Sequence, residues 1–369
     1  MTALQPTKPE IWIGLDTGVA STALCAVDCT GKVLIQQALQ TKASKINDFL
    51  IEHFPSGVTA IGMESCSTSL QVVKGLRASG YDANAYDTFA VRRFLELRKN
   101  KTDKNDARGI AEVARLGRGF LIEVHIKSNE CYATRSKLVA RHNMVRQRVS
   151  TELLIKSMLR VYGTRIKERT HNAARFKFHV ERAIEEVRAE TGHDLTHQMK
   201  PLLELSLKLR TEILNLENEL EDFAISNDLC RRFTEIPGVS KITAVSFFTA
   251  IEDPTRFRRS TDVAAYLGLT PKVFESGDSK RPRRITKAGN PMTRMHLVSA
   301  ATVMLAVAKK HDTALRRWGL DRADAIGFSK ARVAVARKLA VIMLNMWRSG
   351  RSYEAFPEAH NPEPLPVAA

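Results

Sequence analysis

The hexapeptide IWIGLD occupies positions 11–16 and is a short apolar run that ends at an acid. Two further runs, STALCAVD (21–28) and KVLIQQAL (32–39), follow it after turn residues. Short apolar runs separated by turn residues are typical of paired strands, so these three predict an antiparallel meander. The next stretch, SKINDFLIEHF (44–54), has the apolar spacing of a helix. The start of the chain is therefore predicted to be an α/β domain.

The alternation of strands and helices continues to about position 116. VTAIGMES (58–65) indicates a buried strand that ends in an acid, and LQVVKGLRASG (70–80) indicates a helix closed by a glycine. YDANAYD (81–87) is a further candidate strand. The residues from 89 to 116 have helical spacing and are strongly basic.

Four acids stand at the ends of these elements. Asp16 closes the first predicted strand, Glu64 closes a later one, and Asp103 and Asp106 lie three residues apart, on one side of a helix. Grouped carboxylates repel one another, and a hard divalent cation such as Mg²⁺ or Mn²⁺ relieves that repulsion. Each acid alone is equally well explained as a turn residue, a cap or an ion-pair partner. In this order they follow the plan of a ribonuclease-H-like nuclease core, in which two metal ions clamp a phosphodiester.

The middle section, roughly 127–228, has almost no strand signal. Apolar residues step there by three and four, at Leu202, Leu205, Leu209, Ile213, Leu216, Leu220 and Phe223. This spacing is a heptad seam, and residues 144–163 indicate a second amphipathic helix. Together they predict an antiparallel helical hairpin or a dimeric coiled coil, with a plain helical bundle as the alternative.

The third section begins near position 231 with FTEIPGVSKITAVSFFTAI (233–251), which indicates a helix, a Pro-Gly turn and a second helix. Such a turn presents backbone N–H groups that bind phosphate without sequence preference, although an ordinary helix corner has the same pattern. The stretch 273–290 then sets a Ser-Gly pair ahead of five cations in a predicted basic loop. Two or three helices are predicted over 291–349, and a loose polar tail follows.

The composition favours a nucleic-acid partner in a reducing compartment. The 369 residues suggest two or three modules, and 57 Lys and Arg against 40 Asp and Glu give a net charge of +17. The five scattered cysteines contain no Cys-x-x-Cys pair, so neither a disulfide framework nor a zinc site is expected. The first residues lack the pattern of a signal peptide, and no apolar run approaches the ~20 residues that span a bilayer.

Several short motifs stand out, which are IGLDTG, AIGMES and KTDKNDA near the start, and EIPGVSKITA, RFRRSTDVAAYLGLTP, ESG and RRITKAGN near the end. They resemble the motifs of the DEDD-type bacterial insertion-sequence transposases, the IS-one-ten family, which includes the Piv pilin-gene invertase. The resemblance covers about 11–115 and 231–349, while the middle helices match in character only. It implies four regions. The first two are a ribonuclease-H-like (RuvC-type) domain at 10–125 and a helical coiled-coil linker and dimerisation region at 126–228. The others are a small helical transposase domain with a helix-hairpin-helix-like turn at 229–350 and a flexible tail at 351–369.

The resemblance also implies roles for particular residues. Asp16, Glu64, Asp103 and Asp106 would be the catalytic metal ligands, and Ser276 would be the nucleophile that cuts and rejoins DNA through a covalent serine–phosphate link. Spacing alone does not choose among Ser276, Ser279 and Ser240. A structured RNA encoded by the element would pair with donor and target DNA.

Cooperation between chains follows from the same resemblance. Several protomers, as a dimer or a tetramer, would form composite sites in which the RuvC-type domain of one chain meets the serine of another. The resemblance places such an enzyme in the bacterial cytoplasm, at the nucleoid.

Basic residues beside these positions are candidate nucleic-acid contacts, because clustered cations follow a phosphate backbone. They are Arg92, Arg93, Arg98, Lys99, Lys101 and Lys104 near the acids, Lys241 at the Pro-Gly turn, and Lys280, Arg281, Arg283, Arg284 and Lys287 after the Ser-Gly pair. The alternative for each cluster is an ordinary solvated surface.

Three other functions stay open from the sequence. A RuvC-type nuclease that resolves junctions by hydrolysis would use the four acids and need no serine. An actin-like ATPase has a phosphate loop similar to IGLDTG, but a convincing second loop of that kind is absent from the sequence. A catalytically dead nucleic-acid-binding protein is disfavoured because all four acids are present. The chain also has no GxxxxGK[ST] loop, and rejoining through a covalent link would need no ATP.

Overall fold

The chain begins with an antiparallel meander, as its apolar runs predict. A computed structural model describes residues 10–96, 102–117, 119–166, 172–272, 275–276, 279–280, 284–308 and 310–357. The first strands are β1 (Ile11–Thr17), β2 (Ser21–Asp28) and β3 (Val33–Gln40), and β2 pairs antiparallel with both neighbours. The Asp28 carboxylate accepts hydrogen bonds from the backbone N–H groups of Thr30 and Lys32, which closes the turn between β2 and β3.

Two parallel strands complete the sheet. Helix α1 (Ala43–His53) leads to β4 (Ala60–Glu64), and α2 (Ser69–Ala78) leads to β5 (Ala83–Tyr86). Strand β4 runs parallel to both β1 and β5, so the order across the sheet is β3-β2-β1-β4-β5. The two strands predicted at 58–65 and 81–87 are therefore confirmed, with bounds that are shorter by one to two residues at each end.

Helices cover both faces of this sheet. Ile13 and Leu15 of β1 are fully buried in a core shared with Ile46 of α1 and Leu76 of α2. On the opposite face, after α3 (Thr88–Leu95), helix α4 (Asp103–Leu116) crosses the middle of the sheet. Because strand side chains alternate between faces, the residues of β1 that face α4 are the even-numbered ones.

Gly14 of β1 is where α4 approaches the sheet most closely. A Cβ at this position would stand 2.0 Å from the Ala107 carbonyl oxygen and 2.2 Å from the Ala111 nitrogen. Gly62 on β4 allows a similar approach, since a Cβ there would lie 3.1 Å from the Ala114 Cβ. Small residues on paired strands therefore set the height of α4 above the sheet.

We expect Gly14→Ala to destabilise the amino-terminal unit by about 3 kcal/mol, because the added methyl group meets helix backbone rather than a movable side chain. The free energy of unfolding from urea titration, followed by circular dichroism, measures this effect. A variant with an unchanged unfolding midpoint would show that α4 does not rest on Gly14.

The chain divides into two compact units, Met1–Lys127 and Ser128–Ala369. The second unit begins with three helices, α5 (Asn129–Val161), α6 (Ala173–Thr191) and α7 (Thr196–Ser226). Helices α5 and α7 are antiparallel, because Lys137 pairs with Glu219 at 2.6 Å while Glu152 pairs with Arg210 at 2.7 Å. The predicted helical hairpin is thus present, and the further boundary between 228 and 229 stays a prediction.

The heptad seam of α7 differs from the predicted one in its first half. Leu209, Ile213 and Leu220 are buried as expected, but Leu205 is 49% exposed and Ser206 is fully buried. The Ser206 hydroxyl bonds the Glu152 carboxylate at 3.1 Å, and Arg210 reaches the same carboxylate. The seam shifts here because a third helix, α6, also packs against this part of α7.

The rest of the second unit is a helical core that also takes in the ends of α5 and α7. Its helices are α8 (Asp228–Phe233), α9 (Lys241–Ile251), α10 (Asp262–Tyr266), α11 (Pro291–Ala306), α12 (Ala314–Ile326) and α13 (Phe328–Ser349). Phe233, Phe248 and Trp347 stack or meet edge to face at its centre. Beyond α13, the backbone of Tyr353 donates to Glu235 and that of Ala355 accepts from Ala314, so this part of the predicted tail contacts the core.

A buried histidine gives this core a pH dependence. His296 on α11 is 8% exposed, and burial, with Arg141 and His142 nearby, lowers its pKa to about 4. The unfolded chain has the ordinary value near 6.5, so the folded state favours the neutral ring. Stability that depends on His296 is therefore complete above about pH 6.5 and is lost as the pH falls toward 4.

We expect about 3 kcal/mol of unfolding free energy to disappear across that range, and His296→Leu to reduce the loss. Denaturant titrations at several pH values between 4 and 7 measure it. His311→Leu is the matched control, because the His311 side chain is exposed. Parallel pH profiles for the wild type and His296→Leu would contradict the assignment.

Candidate active site

Two carboxylates lie side by side where paired strands end. The last paired residues of β1 and β4 are Leu15 and Met63, so Asp16 and Glu64 are the next residue on each strand. Both follow a glycine by two positions, which places them on the face that α4 covers. Neighbouring strands are about 4.8 Å apart, and both side chains are half-buried. The pairing of β1 with β4 therefore makes Asp16 and Glu64 neighbours at the ends of the two strands.

The first turn of α4 supplies the other two acids. Thr102 begins the helix, since its hydroxyl accepts from the Asn105 N–H at 3.2 Å, and Asp103 and Asp106 follow in the first turn. Carboxylates are favoured there by the positive end of the helix dipole. Asp106 is half-buried, whereas Asp103 is exposed.

The direction of α4 places that first turn toward the ends of the strands that carry the other acids. Its opposite end, at Ala114 and Gly117, lines a cavity with Trp12 and Ala60, which lie at the starts of β1 and β4. Ala107, one residue after Asp106, contacts β1 at Gly14. Asp106 therefore lies on the same face of the sheet as Asp16 and Glu64, and near the same ends of the strands.

The donor chemistry of this edge suits a hard divalent cation, because every candidate ligand is a carboxylate oxygen. Among the described residues, no three His, Cys, Asp or Glu side chains lie close enough together to hold a metal ion.

A network of hydroxyl and thiol groups ties the two acid-bearing loops together, and sequence reasoning missed it. The Thr17 hydroxyl bonds the Cys66 thiol at 3.2 Å, and the Thr68 hydroxyl donates to the Thr17 carbonyl at 3.1 Å. Burial raises the pKa of the Cys66 thiol, but its hydrogen bonds with Thr17, Thr68 and Ser69 together outweigh this effect and leave the pKa lowered. Thr17 directly follows Asp16, and Cys66 and Thr68 lie two and four residues after Glu64, so these bonds connect the two strand ends.

Asp87 is a further acid near this edge, but it has a structural role. It follows β5, and its carboxylate accepts from the Ala90 N–H at 2.9 Å, which caps α3. The hydroxyl of Thr88 donates to the Ser65 carbonyl, which holds α3 next to the end of β4. A helix cap accounts for Asp87 fully.

Ser276 belongs to a β-hairpin rather than to a simple loop. The short strands β6 (Glu275–Ser276) and β7 (Ser279–Lys280) pair antiparallel, and Ser276 is paired with Ser279. Nearer the helical core, Pro271 bridges Ile285 and the Thr286 N–H donates to the Thr270 carbonyl at 2.8 Å. A local reading of the Ser-Gly stretch could not reveal these pairs, because they join residues up to 16 positions apart.

The candidate nucleic-acid contacts have different environments. Arg92 pairs with Glu96 at 3.0 Å, Arg93 stands over the Phe89 ring, and Lys241 pairs with Glu221 at 2.8 Å. Lys104, Arg284 and Lys287 are exposed. Five of the predicted contacts, which are Arg98, Lys99, Lys101, Arg281 and Arg283, lie outside the described residues, as do the side chains of Lys280 and Ser276.

Two family models match this chain, one over the part that contains the four acids and one over the part that contains Ser276. A family model described as transposase, for the DEDD group of IS110 enzymes, matches residues 13–164. A second, described as the transposase IS116/IS110/IS902 family, matches residues 230–316. The chain belongs to this transposase family. The resemblance inferred from the motifs is thereby confirmed, and the first match contains all four acids while the second contains Ser276.

Curated relatives of this transposase align over nearly their whole length. The transposase for insertion sequence element IS1111A of Coxiella burnetii is 28% identical over 338 residues, which are 90% of this chain and 88% of the relative. The transposase for insertion sequence element IS1328 of Yersinia enterocolitica is 23% identical over 89% of this chain and 94% of the relative. The α5–α7 hairpin, which the two family models cover only in part, thus lies within a full-length similarity.

The chain is accordingly an enzyme of the transposase class, and the DEDD match implies the use of a divalent metal ion in general terms. None of the helices in the described ranges is both long enough and apolar enough to cross a membrane.

Proposed function

We propose that this transposase cuts and rejoins DNA at a Mg²⁺-dependent site formed by Asp16, Glu64, Asp103 and Asp106, with Ser276 as the nucleophile. The observation that carries the proposal is the register of β1 with β4, which makes Asp16 and Glu64 neighbours on the face that α4 covers. The strand order β3-β2-β1-β4-β5, with acids at the ends of the two central parallel strands, supports a ribonuclease-H-like (RuvC-type) core.

The serine hydroxyl performs the cutting step in this proposal. The Ser276 oxygen attacks the phosphorus of a backbone phosphodiester, its proton passes to a carboxylate, and the bond from phosphorus to the leaving strand oxygen breaks. The leaving hydroxyl takes up a proton, and the new serine–phosphate ester preserves the bond energy. A second strand hydroxyl then gives its proton to a carboxylate and attacks the same phosphorus. The serine–phosphate bond breaks, the Ser276 oxygen takes up a proton, and DNA is rejoined without ATP. A bound divalent ion would supply charge stabilisation for both displacements.

The cations around the two sites would hold the phosphates. Arg284 and Lys287 are exposed on the chain that returns from β7 to the helical core, and Lys104 is exposed beside Asp103. Cations fixed next to the reacting phosphate stabilise the charge that develops on its oxygens. The proposed contacts whose side chains lie outside the described residues would extend the same surface.

Guidance by RNA and assembly from several protomers belong to the same proposal. The net charge of +17 supports binding of more than one nucleic acid, including an RNA encoded by the element that pairs with donor and target DNA. The antiparallel α5–α7 hairpin supports a coiled-coil contact between protomers, in a dimer or a tetramer. The enzyme would act on cytoplasmic, nucleoid-associated DNA.

A trapping experiment tests the chemistry. The purified protein is mixed with Mg²⁺, RNA transcribed from the noncoding flank of its element, and labelled duplexes that carry the element junction and the target. We expect an adduct of protein and DNA that protease removes, and peptide mass spectrometry should find the nucleotide on Ser276. Cleavage without any adduct would replace the proposal by metal-dependent hydrolysis, and a nucleotide on Ser240 or Ser279 would reassign the nucleophile.

A further inference from the structure

The base of the Ser276 hairpin is a tight crossing of two chain segments. The Lys287 N–H donates to the Gly268 carbonyl at 3.1 Å, and a Cβ on Gly268 would stand 2.1 Å from the Ala288 carbonyl oxygen. Gly289 crosses equally close, since a Cβ there would lie 2.0 Å from the Tyr266 carbonyl oxygen. The chain segments that lead to and from the hairpin therefore meet at backbone contact distance beside the helical core.

The backbone of this crossing is held in an uncommon conformation. Gly268, Lys287 and Gly289 have φ values of +67°, +57° and +72°. Glycine adopts such values readily, but for lysine the left-handed region costs about 1 kcal/mol or more. The surrounding contacts must offset that cost, so the crossing depends on groups that hold its carbonyls in place.

Arg294 holds both segments from one nitrogen. It lies in the first turn of α11, and its Nη1 donates to the Leu267 carbonyl at 2.9 Å and to the Ala288 carbonyl at 3.0 Å. These carbonyls belong to the outgoing and the returning segment of the hairpin. Hydrogen bonds from a charged donor are about twice as strong as neutral ones. Arg294 therefore ties the outgoing and returning segments to a single point on α11.

The position of Arg294 is itself fixed by its helix. Asn290 caps α11 by accepting from the Met292 N–H at 3.1 Å, and its side chain amide donates to the Thr293 hydroxyl at 2.8 Å. The buried Thr293 hydroxyl in turn donates to the Ser246 carbonyl on α9. The start of α11 is thus fixed to the helical core. The two hydrogen bonds of Arg294 connect the segments of the hairpin to this fixed point.

We propose that Arg294 is a positioning residue for transposition, which fixes the two chain segments that lead to and from the hairpin of Ser276. The inference rests on the proposed role of Ser276 as the nucleophile. A misplacement of about 1 Å at a reacting atom lowers a rate by about 100-fold, so a lost anchor at the hairpin base should reduce chemistry more than binding. A single nitrogen makes both bonds, which means that a lysine ammonium has enough donors to replace it.

The test compares Arg294→Met, which keeps the apolar stem, with Arg294→Lys, which keeps a donor. Arg182→Met is the matched control, because Arg182 is exposed on α6 and pairs with Glu186 on the same helix. Four quantities are measured for each purified variant, namely the single-turnover rate of adduct formation, the affinity for the labelled duplexes, the midpoint of thermal unfolding, and hydrogen exchange of the Thr286 and Lys287 amides. Ser276→Ala runs beside them.

We expect Arg294→Met to form the adduct about 100-fold more slowly with nearly unchanged affinity and midpoint of thermal unfolding, and to exchange the Thr286 and Lys287 amides faster. Arg294→Lys should recover most of the rate. Equal rates in wild type and Arg294→Met, or unchanged amide exchange, would overturn the inference while leaving the nucleophile intact. An adduct that persists in Ser276→Ala would instead refute the proposed function, and the positioning role with it.

Discussion

Replacement of Ser276 by alanine should abolish both the covalent protein–DNA adduct and strand transfer, with a loss of about 10⁴-fold or more in rate. The substitution removes one oxygen atom, and no neighbouring group can form the same ester in its place if the hairpin directs this position to the phosphate. DNA affinity should change little, because the cations that hold the backbone remain. Denaturing gels with and without protease treatment measure the adduct, and a filter-binding titration measures the affinity.

Ser279→Ala is the matched control for this prediction. Ser279 is paired with Ser276 across β6 and β7, so the two serines share a hairpin and a local sequence environment. The control should form the adduct at nearly the wild-type rate. The opposite pattern, in which Ser279→Ala is inactive and Ser276→Ala is active, would move the nucleophile to the other strand of the hairpin.

Asp16→Asn should reduce DNA cleavage by about 10³-fold, because a bound divalent ion supplies several kcal/mol of transition-state stabilisation through its carboxylate ligands. The amide has the same shape as the carboxylate, so the half-buried end of β1 should keep its fold. The cleavage rate as a function of Mg²⁺ concentration is the measurement. A loss that arises from weakened ion binding should shrink as Mg²⁺ is raised, whereas unfolding would not respond.

Asp48→Asn is the control for the charge change. Its carboxylate is 62% exposed on α1 and pairs only with Lys45 at 3.4 Å among the described residues, so cleavage should stay at the wild-type level. Both variants should unfold at the same urea concentration as the wild type. Wild-type cleavage by Asp16→Asn would show that Asp16 is not part of the catalytic site and would contradict the proposed metal site at the ends of β1 and β4.

The amino-terminal sheet could be predicted from the sequence because its signals are local. Runs such as IWIGLD and VTAIGMES are buried on both faces of the sheet, and their apolar character alone places β1 and β4 within two residues of their observed bounds. The acids at their ends could then be paired by assuming that the two strands lie side by side in parallel. The sequence did not contain the height of α4, which depends on Gly14 and Gly62 meeting the helix backbone.

Features that depend on tertiary contacts could not be predicted in the same way. The seam of α7 moves from Leu205 to Ser206 because Ser206 and Arg210 bond the partly buried Glu152 carboxylate on α5, and because α6 packs against the same part of α7. The bond between Thr17 and Cys66 joins residues 49 positions apart, and the Arg294 anchor joins residues 27 positions apart. Periodicity within one element carries no information about such partners.

The hairpin of α5 and α7 sets the distance between the two hydrophobic clusters that pack at its ends. Its helices contain 33 and 31 residues, so at 1.5 Å per residue each is about 50 Å long. The core that contains α9 and α13 packs against one end, and α6 packs against the other. That length corresponds to about 15 base pairs of duplex at 3.4 Å each. Because both helices are continuous, removing one heptad from each would shorten this distance by about 10 Å, or three base pairs.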